Sequence, residues 1–158
     1  MNQNVILNIG DKESCLQTLI QFKENKYVPF YVRINNSHIK LLNNIIGRTV
    51  FKKDAVYISS LTLWEIMQPT GRKGTHNYHG LMPEDVYNAL SRIKYSKNVY
   101  SSFDDRYVVI TDVFVTEEVR LIVIVSSDTT VAAQELNNVV SIITIYPSDK
   151  EKWEPSGA

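Results

Sequence analysis

The stretch RYVVITDVFVTEEVRLIVIVSS, residues 106–127, decides the fold class of this 158-residue chain. Its two halves, residues 106–115 and 119–127, are rich in β-branched residues, and three polar residues separate them. A connection of that length is typical of a β-hairpin. Residues 139–146 (VVSIITIY) have the same character, and residues 98–102 suit a shorter strand. The C-terminal half is therefore predicted to form an antiparallel sheet of three or four strands.

The first half of the chain alternates strand and helix patterns. Strand-like runs at residues 5–9 and 27–34 are followed by helical patterns at residues 12–23 and 38–46. Two more helices are expected before the sheet, at residues 61–67 and 83–93, and Pro83 suits the first turn of the second one. The prediction is an α+β fold, with an N-terminal β-α-β-α unit followed by helices packed on a three- to four-stranded antiparallel sheet. Pro147 is expected to end the last strand.

The composition is that of an ordinary globular chain. Hydrophobic residues make up 44% and charged residues 22%, and the formal net charge is +0. Any affinity for nucleic acid must then come from a local patch of charge. The single cysteine, Cys15, lies in a helical pattern and is expected to be a small buried group. Because no apolar run is long enough to span a bilayer and the first residues lack a signal-peptide pattern, a cytoplasmic protein without membrane contact is expected.

The loop GRKGTHNYHGL, residues 71–81, gathers groups that suit phosphate chemistry. His76 and His79 titrate near neutral pH, and the neighbouring Arg72 and Lys73 can hold an anion. His79 is the preferred general base or acid, and the structural alternative is a histidine that only hydrogen-bonds the start of the next helix. His76 can share a site with it only if the loop curls. The two histidines do not suggest a metal site, since no Cys or suitably spaced acid completes a ligand shell.

The last strand supplies a second group of candidates. Strict alternation places Thr144 and Tyr146 on one face, and Ser141 on the other face unless a bulge intervenes. The phenol of Tyr146 can donate a proton to a leaving group or hydrogen-bond a phosphate, although a tyrosine at a strand end also has a structural use. Arg106, at the start of the long strand, is one of several possible cations, and none of them stands out.

In their order along the chain, these segments resemble the phage and mobile-element branch of the BECR nucleases, the superfamily of barnase, EndoU, colicin-type and RelE-like ribonucleases. The resemblance covers residues 56–149 through VYISS.TL.EI, HGL.PEDVYNAL..I, S..D.RYVVITD and NNVVSIITIYP. The "HG" of the family falls on His79 and Gly80, and its Ser/Thr-x-Tyr pattern falls on Thr144 and Tyr146. The resemblance implies a nuclease domain at residues 55–149, preceded by an extension or subdomain (1–54) and followed by a tail (150–158).

The resemblance also implies RNA cleavage without a metal or any other cofactor. The 2′-hydroxyl attacks its own phosphate, one side chain takes the proton, another protonates the leaving oxygen, and a cation stabilises the phosphorane. RNA is the expected partner, and a toxin of a phage or toxin–antitoxin system would also need a protein inhibitor or antitoxin. The expected catalytic residues are His79, Tyr146 and Thr144, and the expected RNA contacts are His76, Lys73, Arg72, Arg106 and Ser141.

Two other functions are compatible with the sequence. A noncatalytic binding module could keep the fold and bind protein or nucleic acid through the sheet edge or a basic segment, and the lack of an evident catalytic cation favours it. A nucleotide transferase is the third possibility, but the chain has no GxxxxGK[ST] phosphate loop. The basic segment, residues 33–53, lacks Asp and Glu and contains Arg33, Lys40, Arg48, Lys52 and Lys53.

Overall fold

The computed structural model describes residues 5–26, 30–35, 39–47, 49–50, 56–71, 76–96, 98–102, 106–126, 140–149 and 152. No helix in these ranges has the length and apolarity needed to cross a membrane. The helices are α1 (Lys12–Glu24), α2 (Ile39–Ile46), α3 (Ser60–Ile66) and α4 (Pro83–Arg92), and α4 continues into a 3₁₀ turn (Ile93–Tyr95). The strands are β1 (Val5–Asn8), β2 (Tyr31–Asn35), β3 (Val56–Ser59), β4 (Asn98–Ser101), β5 (Arg106–Thr116), β6 (Val119–Ser126) and β7 (Val140–Asp149).

All seven strands belong to one mixed sheet with the order β1-β2-β3-β7-β6-β5-β4. The β1–β2 and β3–β7 pairs are parallel, and the other four pairs are antiparallel. The α+β class and the β5–β6 hairpin are confirmed, but the prediction of a three- to four-stranded antiparallel sheet is wrong. The reason is β3, where Val56 and Ile58 pair with Val140 and Ile142 and so join the N-terminal strands to the C-terminal ones.

The helices pack on one face of the sheet, which we call the helix face. Leu19 of α1, Leu63 of α3 and Val86 of α4 are fully buried in one cluster with strand residues such as Ile58 and Val123. The opposite face, which we call the far face, carries a smaller cluster made of strand residues. That cluster contains Val108, Ile110 and Ile122, with Ile124 and Tyr146 packed against them. The sheet therefore separates a large core from the face that carries Tyr146.

Side-chain hydrogen bonds cap the first turns of α3 and α4. The Ser59 hydroxyl accepts a hydrogen bond from the N–H of Thr62 at 3.0 Å and so starts α3. At the start of α4, the N–H of Met82 donates to the Asp85 carboxylate at 3.0 Å. The segment that carries His79 thus leads directly into the capped first turn of α4, whereas the Ser59 cap lies at the opposite end of α3.

The last strand is longer than its proline suggests. Pro147 was expected to end it, but β7 continues to Asp149, and Pro147 pairs with Leu121 of β6. The parallel partner β3 pairs only with Val140–Ile142. Among the described strands, the rest of β7 therefore has only β6 as a neighbour. Proline has no N–H to donate, and such an edge position does not require one.

We predict that Ile58→Ala lowers the free energy of unfolding by about 2–5 kcal/mol, because Ile58 is fully buried where β3 meets β7 and truncation leaves a cavity. The matched control is Ile6→Ala in β1, where the side chain is 55% exposed and the expected loss is within about 0.5 kcal/mol. Urea denaturation followed by circular dichroism and by tryptophan fluorescence measures both. Equal losses for the two variants would contradict this assignment of the core.

Candidate functional site

His79 lies beside the part of β7 that extends beyond β3. Its Nε2 is 3.2 Å from Oγ1 of Thr144, and either atom can be the donor, depending on the tautomer of the imidazole. The imidazole ring is also next to the phenol ring of Tyr146, with ring centroids 6.1 Å apart. All three side chains are partly exposed, so a ligand can reach them. The three residues that the sequence analysis selected as catalytic are therefore neighbours.

The backbone on both sides of His79 is held by contacts to α3 and the residues after it. Gly80 donates its N–H to the Gln68 carbonyl at 2.8 Å, and Leu81 donates to the Ile66 carbonyl at 3.0 Å. On the other side, the Tyr78 ring packs edge-on against Trp64 with centroids 5.5 Å apart. Gly80 has φ of 66°, a conformation that other residues resist. These contacts orient the imidazole towards β7.

Burial shifts the two titratable groups of the site in opposite directions. Partial burial and, second, the charge of nearby His76 lower the pKa of the His79 imidazole below its ordinary value. Burial raises the pKa of the Tyr146 phenol. At neutral pH the site therefore holds a neutral imidazole, which can accept a proton, and a protonated phenol, which can donate one.

A β-bulge places Ser141 on the same face as Thr144 and Tyr146. Ser126 and Ile124 of β6 pair with Ser141 and Thr144, respectively, so three residues of β6 match four residues of β7. The extra residue reverses the alternation expected for a regular strand. Ser141 is nevertheless buried, with only 4% of its surface exposed, and Tyr57 of β3 pairs with it on the other side.

The other residues that were expected to contact RNA lie at different places in the structure. His76 is exposed in the loop, and its charge acts on His79. Arg106 pairs with Ser126 and so lies on the far face, at the end of the sheet where Ser141 is found. Arg72 and Lys73 lie outside the described residues. Their proposed role stays a prediction from the sequence.

Arg120 is a cation of the far face that sequence reasoning did not single out. It pairs with Ser148, and the next residue of β6 on this face, Ile122, pairs with Tyr146. Diagonal neighbours of this kind have Cβ atoms about 7–8 Å apart, within reach of a long side chain. The Arg120 guanidinium stacks on the Phe114 ring at 4.8 Å. Its position depends on the β6–β7 register, and a strand pattern does not specify that register.

The basic segment and an apolar groove lie elsewhere. Of that segment, Arg33 is exposed on β2; Arg48, Lys52, Lys53 and the side chain of Lys40 lie outside the described part of the chain. A groove of 830 Å³ runs between α1 and α4 and contains the partly exposed Ile20 and Met82. None of the residues expected to act in catalysis lines this groove. We place the candidate site at His79, since a catalytic site requires suitable chemical groups and the groove is mainly apolar.

Comparison of the chain with protein-family models, with curated proteins and with solved structures found no match. The resemblance to the BECR nucleases therefore rests on the sequence motifs quoted above. The roles expected of the site residues are predictions from that resemblance.

We predict that the His79 imidazole titrates below the value of about 6.5 that is usual for an unfolded chain. Protonation then favours the unfolded state, so the stability contributed by neutral His79 is lost as pH falls from about 6.5 through the folded-state pKa. NMR titration of the imidazole signals measures this pKa. His76→Asn should raise it only in part, because burial is the larger cause. A pKa at or above the unfolded value would contradict this account of the site.

Proposed function

We propose that this protein is a metal-independent endoribonuclease that cleaves RNA by attack of the 2′-hydroxyl on the adjacent phosphate. The observation that carries the proposal is the 3.2 Å contact between His79 and Thr144, beside Tyr146. A loop and a strand far apart in sequence bring together the residues that the resemblance to BECR nucleases indicates. A cytoplasmic toxin of a phage or toxin–antitoxin system, controlled by an inhibitor protein, suits such an activity.

The pKa shifts support a division of roles between the two rings. Neutral His79 accepts the proton of the 2′-hydroxyl as that oxygen attacks phosphorus. Tyr146 donates its phenolic proton to the departing 5′-oxygen, because its raised pKa keeps it protonated. The products are a 2′,3′-cyclic phosphate and a 5′-hydroxyl, and proton exchange with water restores both side chains. Thr144 holds the imidazole in position and can hydrogen-bond a phosphate oxygen.

Arg120 supplies the cation that this chemistry requires. The phosphorane gains negative charge as the bond to the 2′-oxygen forms, and a fixed positive group next to Tyr146 stabilises that charge. The stacking on Phe114 limits the motion of the guanidinium. The hydrogen bond from Arg92 is the main cause that lowers the pKa of the Asp112 carboxyl, and the charge of Arg120 is the smallest of its causes.

Cleavage of a fluorescent RNA in the presence of EDTA tests the proposal. We expect chelator-resistant cleavage to cyclic-phosphate products, and a rate about 10²–10⁴-fold lower in His79→Ala and in Tyr146→Phe. Asn77→Ala, an exposed position of the same loop, and Tyr95→Phe, an exposed tyrosine outside the sheet, are the matched controls. An RNA with 2′-deoxyribose at the cleaved position should resist. If both site variants still cleave RNA at the original rate, residues other than His79 and Tyr146 must catalyse the reaction.

Arg120→Gln should lower kcat about 10²–10³-fold, because it removes charge stabilisation that is strongest in the transition state. Arg120→Lys keeps the charge but loses the planar guanidinium, so an intermediate rate is expected. Steady-state kinetics with the same RNA separate kcat from KM. A substitution that changes KM alone would make Arg120 a binding residue rather than a stabiliser of the phosphorane.

A noncatalytic binding module remains the second candidate. The apolar groove between α1 and α4 favours it, because the exposed side chains of Ile20 and Met82 suit a protein partner. Absence of RNA cleavage in every condition, with the fold intact, would support this second function.

A further inference from the structure

The far face also carries an exposed tyrosine, Tyr100, on β4. This strand lies at the opposite edge of the sheet from β1. Partners in the ladder share a face, so the strand register defines rows of side chains across the sheet. Neighbouring strands are about 4.8 Å apart, so three strand steps correspond to roughly 14 Å. One row runs from β4 to β7 through Tyr100, Val108, Ile124 and Thr144.

Tyr100 presents its ring at the outer end of this row. The side chain is 42% exposed, although its partner on β5, Val108, is buried. Val108 and Ile124 continue the row as an apolar strip that leads from Tyr100 to the His79–Thr144 pair. An exposed aromatic ring on a sheet is a platform on which an unpaired base can stack.

Positive charge accompanies this strip. Arg106 comes two residues before Val108, the partner of Tyr100, and so lies diagonally next to Tyr100 on the same face. Among the paired residues of the described strands, the far face carries no Asp or Glu. Its charged residues there are Arg33, Arg106 and Arg120. A surface of this composition attracts a phosphate backbone even though the net charge of the chain is zero.

We propose that Tyr100 and Arg106 form a subsite for one nucleotide of single-stranded RNA, about 14 Å from the pair that cleaves the chain. Tyr100 stacks on the base, and Arg106 binds the neighbouring phosphate. The subsite accepts any base, since every base has a π-face, and it disfavours a duplex, whose bases are already stacked and paired. The link to cleavage rests on the proposed function, but binding at the subsite can be measured without cleavage.

The probe is a short fluorescent oligo(2′-O-methyluridine), which cannot be cleaved by 2′-hydroxyl attack, and fluorescence anisotropy gives its Kd. Tyr100→Ala should weaken binding roughly 5- to 150-fold, and Tyr100→Phe should bind like the unchanged protein. Tyr100→Val, a good strand former without a ring, repeats the test if the alanine variant does not fold. Arg106→Gln should lower the slope of log Kd against log salt by about 1. A duplex of the same chemistry should bind more weakly than the single strand.

Tyr95→Ala is the matched control, because Tyr95 is 51% exposed and flanked by Arg92 and Lys94 but lies outside the sheet. Its affinity should be unchanged. Unchanged binding in Tyr100→Ala, an equal loss in Tyr95→Ala, or preference for the duplex would overturn the subsite. If binding depends on Tyr100 but the protein cleaves no RNA, the subsite is supported and the proposed nuclease activity is contradicted. If the protein cleaves RNA without any dependence on Tyr100, the nuclease activity is supported and the subsite is contradicted.

Discussion

The rest of the structure depends on where β3 stops. β3 runs directly into α3 at Ser60, and this junction is held by two hydrogen bonds: the Ser60 N–H donates to the Phe30 carbonyl at 2.7 Å, and the Phe30 N–H donates to the Ser60 hydroxyl at 3.0 Å. Because Ser60 is buried, these polar groups would be costly to leave unpaired. β3 therefore cannot extend along β7 beyond Ile142. The second half of β7 stays available to the loop that carries His79.

The bulge in β7 is the second constraint, because it decides which side chains share a surface. Without it, Ser141 would lie on the helix face and would be a core residue of unsuitable polarity. With it, Ser141, Thr144 and Tyr146 lie on the far face, and Ser141 shares a row across the sheet with Ser126 and Arg106. A single extra residue thus separates a polar surface from the main core. Bulges are common next to functional sites, where they redirect side chains in this way.

Local sequence patterns predicted most elements but not their partners. The hairpin of β5 and β6, the helix that begins at Pro83 and the strand β7 are evident because each depends on neighbouring residues. The pairing of β3 with β7 is not evident, since two short apolar runs distant in sequence fit many partners. The error about Pro147 has the same origin: a proline is tolerated on the outer side of a strand, and only the strand order shows which side is outer.

The difference between local sequence patterns and strand pairing also explains which residues of the candidate site could be predicted. His79 and Tyr146 were selected for their chemistry, and chemistry is a property of single residues. Arg120 was not selected, because its relevance comes only from its place beside Tyr146 across two strands.

The zero net charge likewise does not describe the far face, since it averages over all the surfaces of the chain. The described helices carry both signs, with Glu13, Glu24, Glu65, Glu84 and Asp85 beside Lys12, Lys23, Lys40 and Arg92, whereas the paired residues of the far face carry arginine without acid. A sheet with helices packed on one face allows this difference, because the charges of the helices need not meet those of the far face. RNA binding by such a chain should therefore depend on the far face and weaken steeply with salt, as expected for phosphate contacts made by a few arginines.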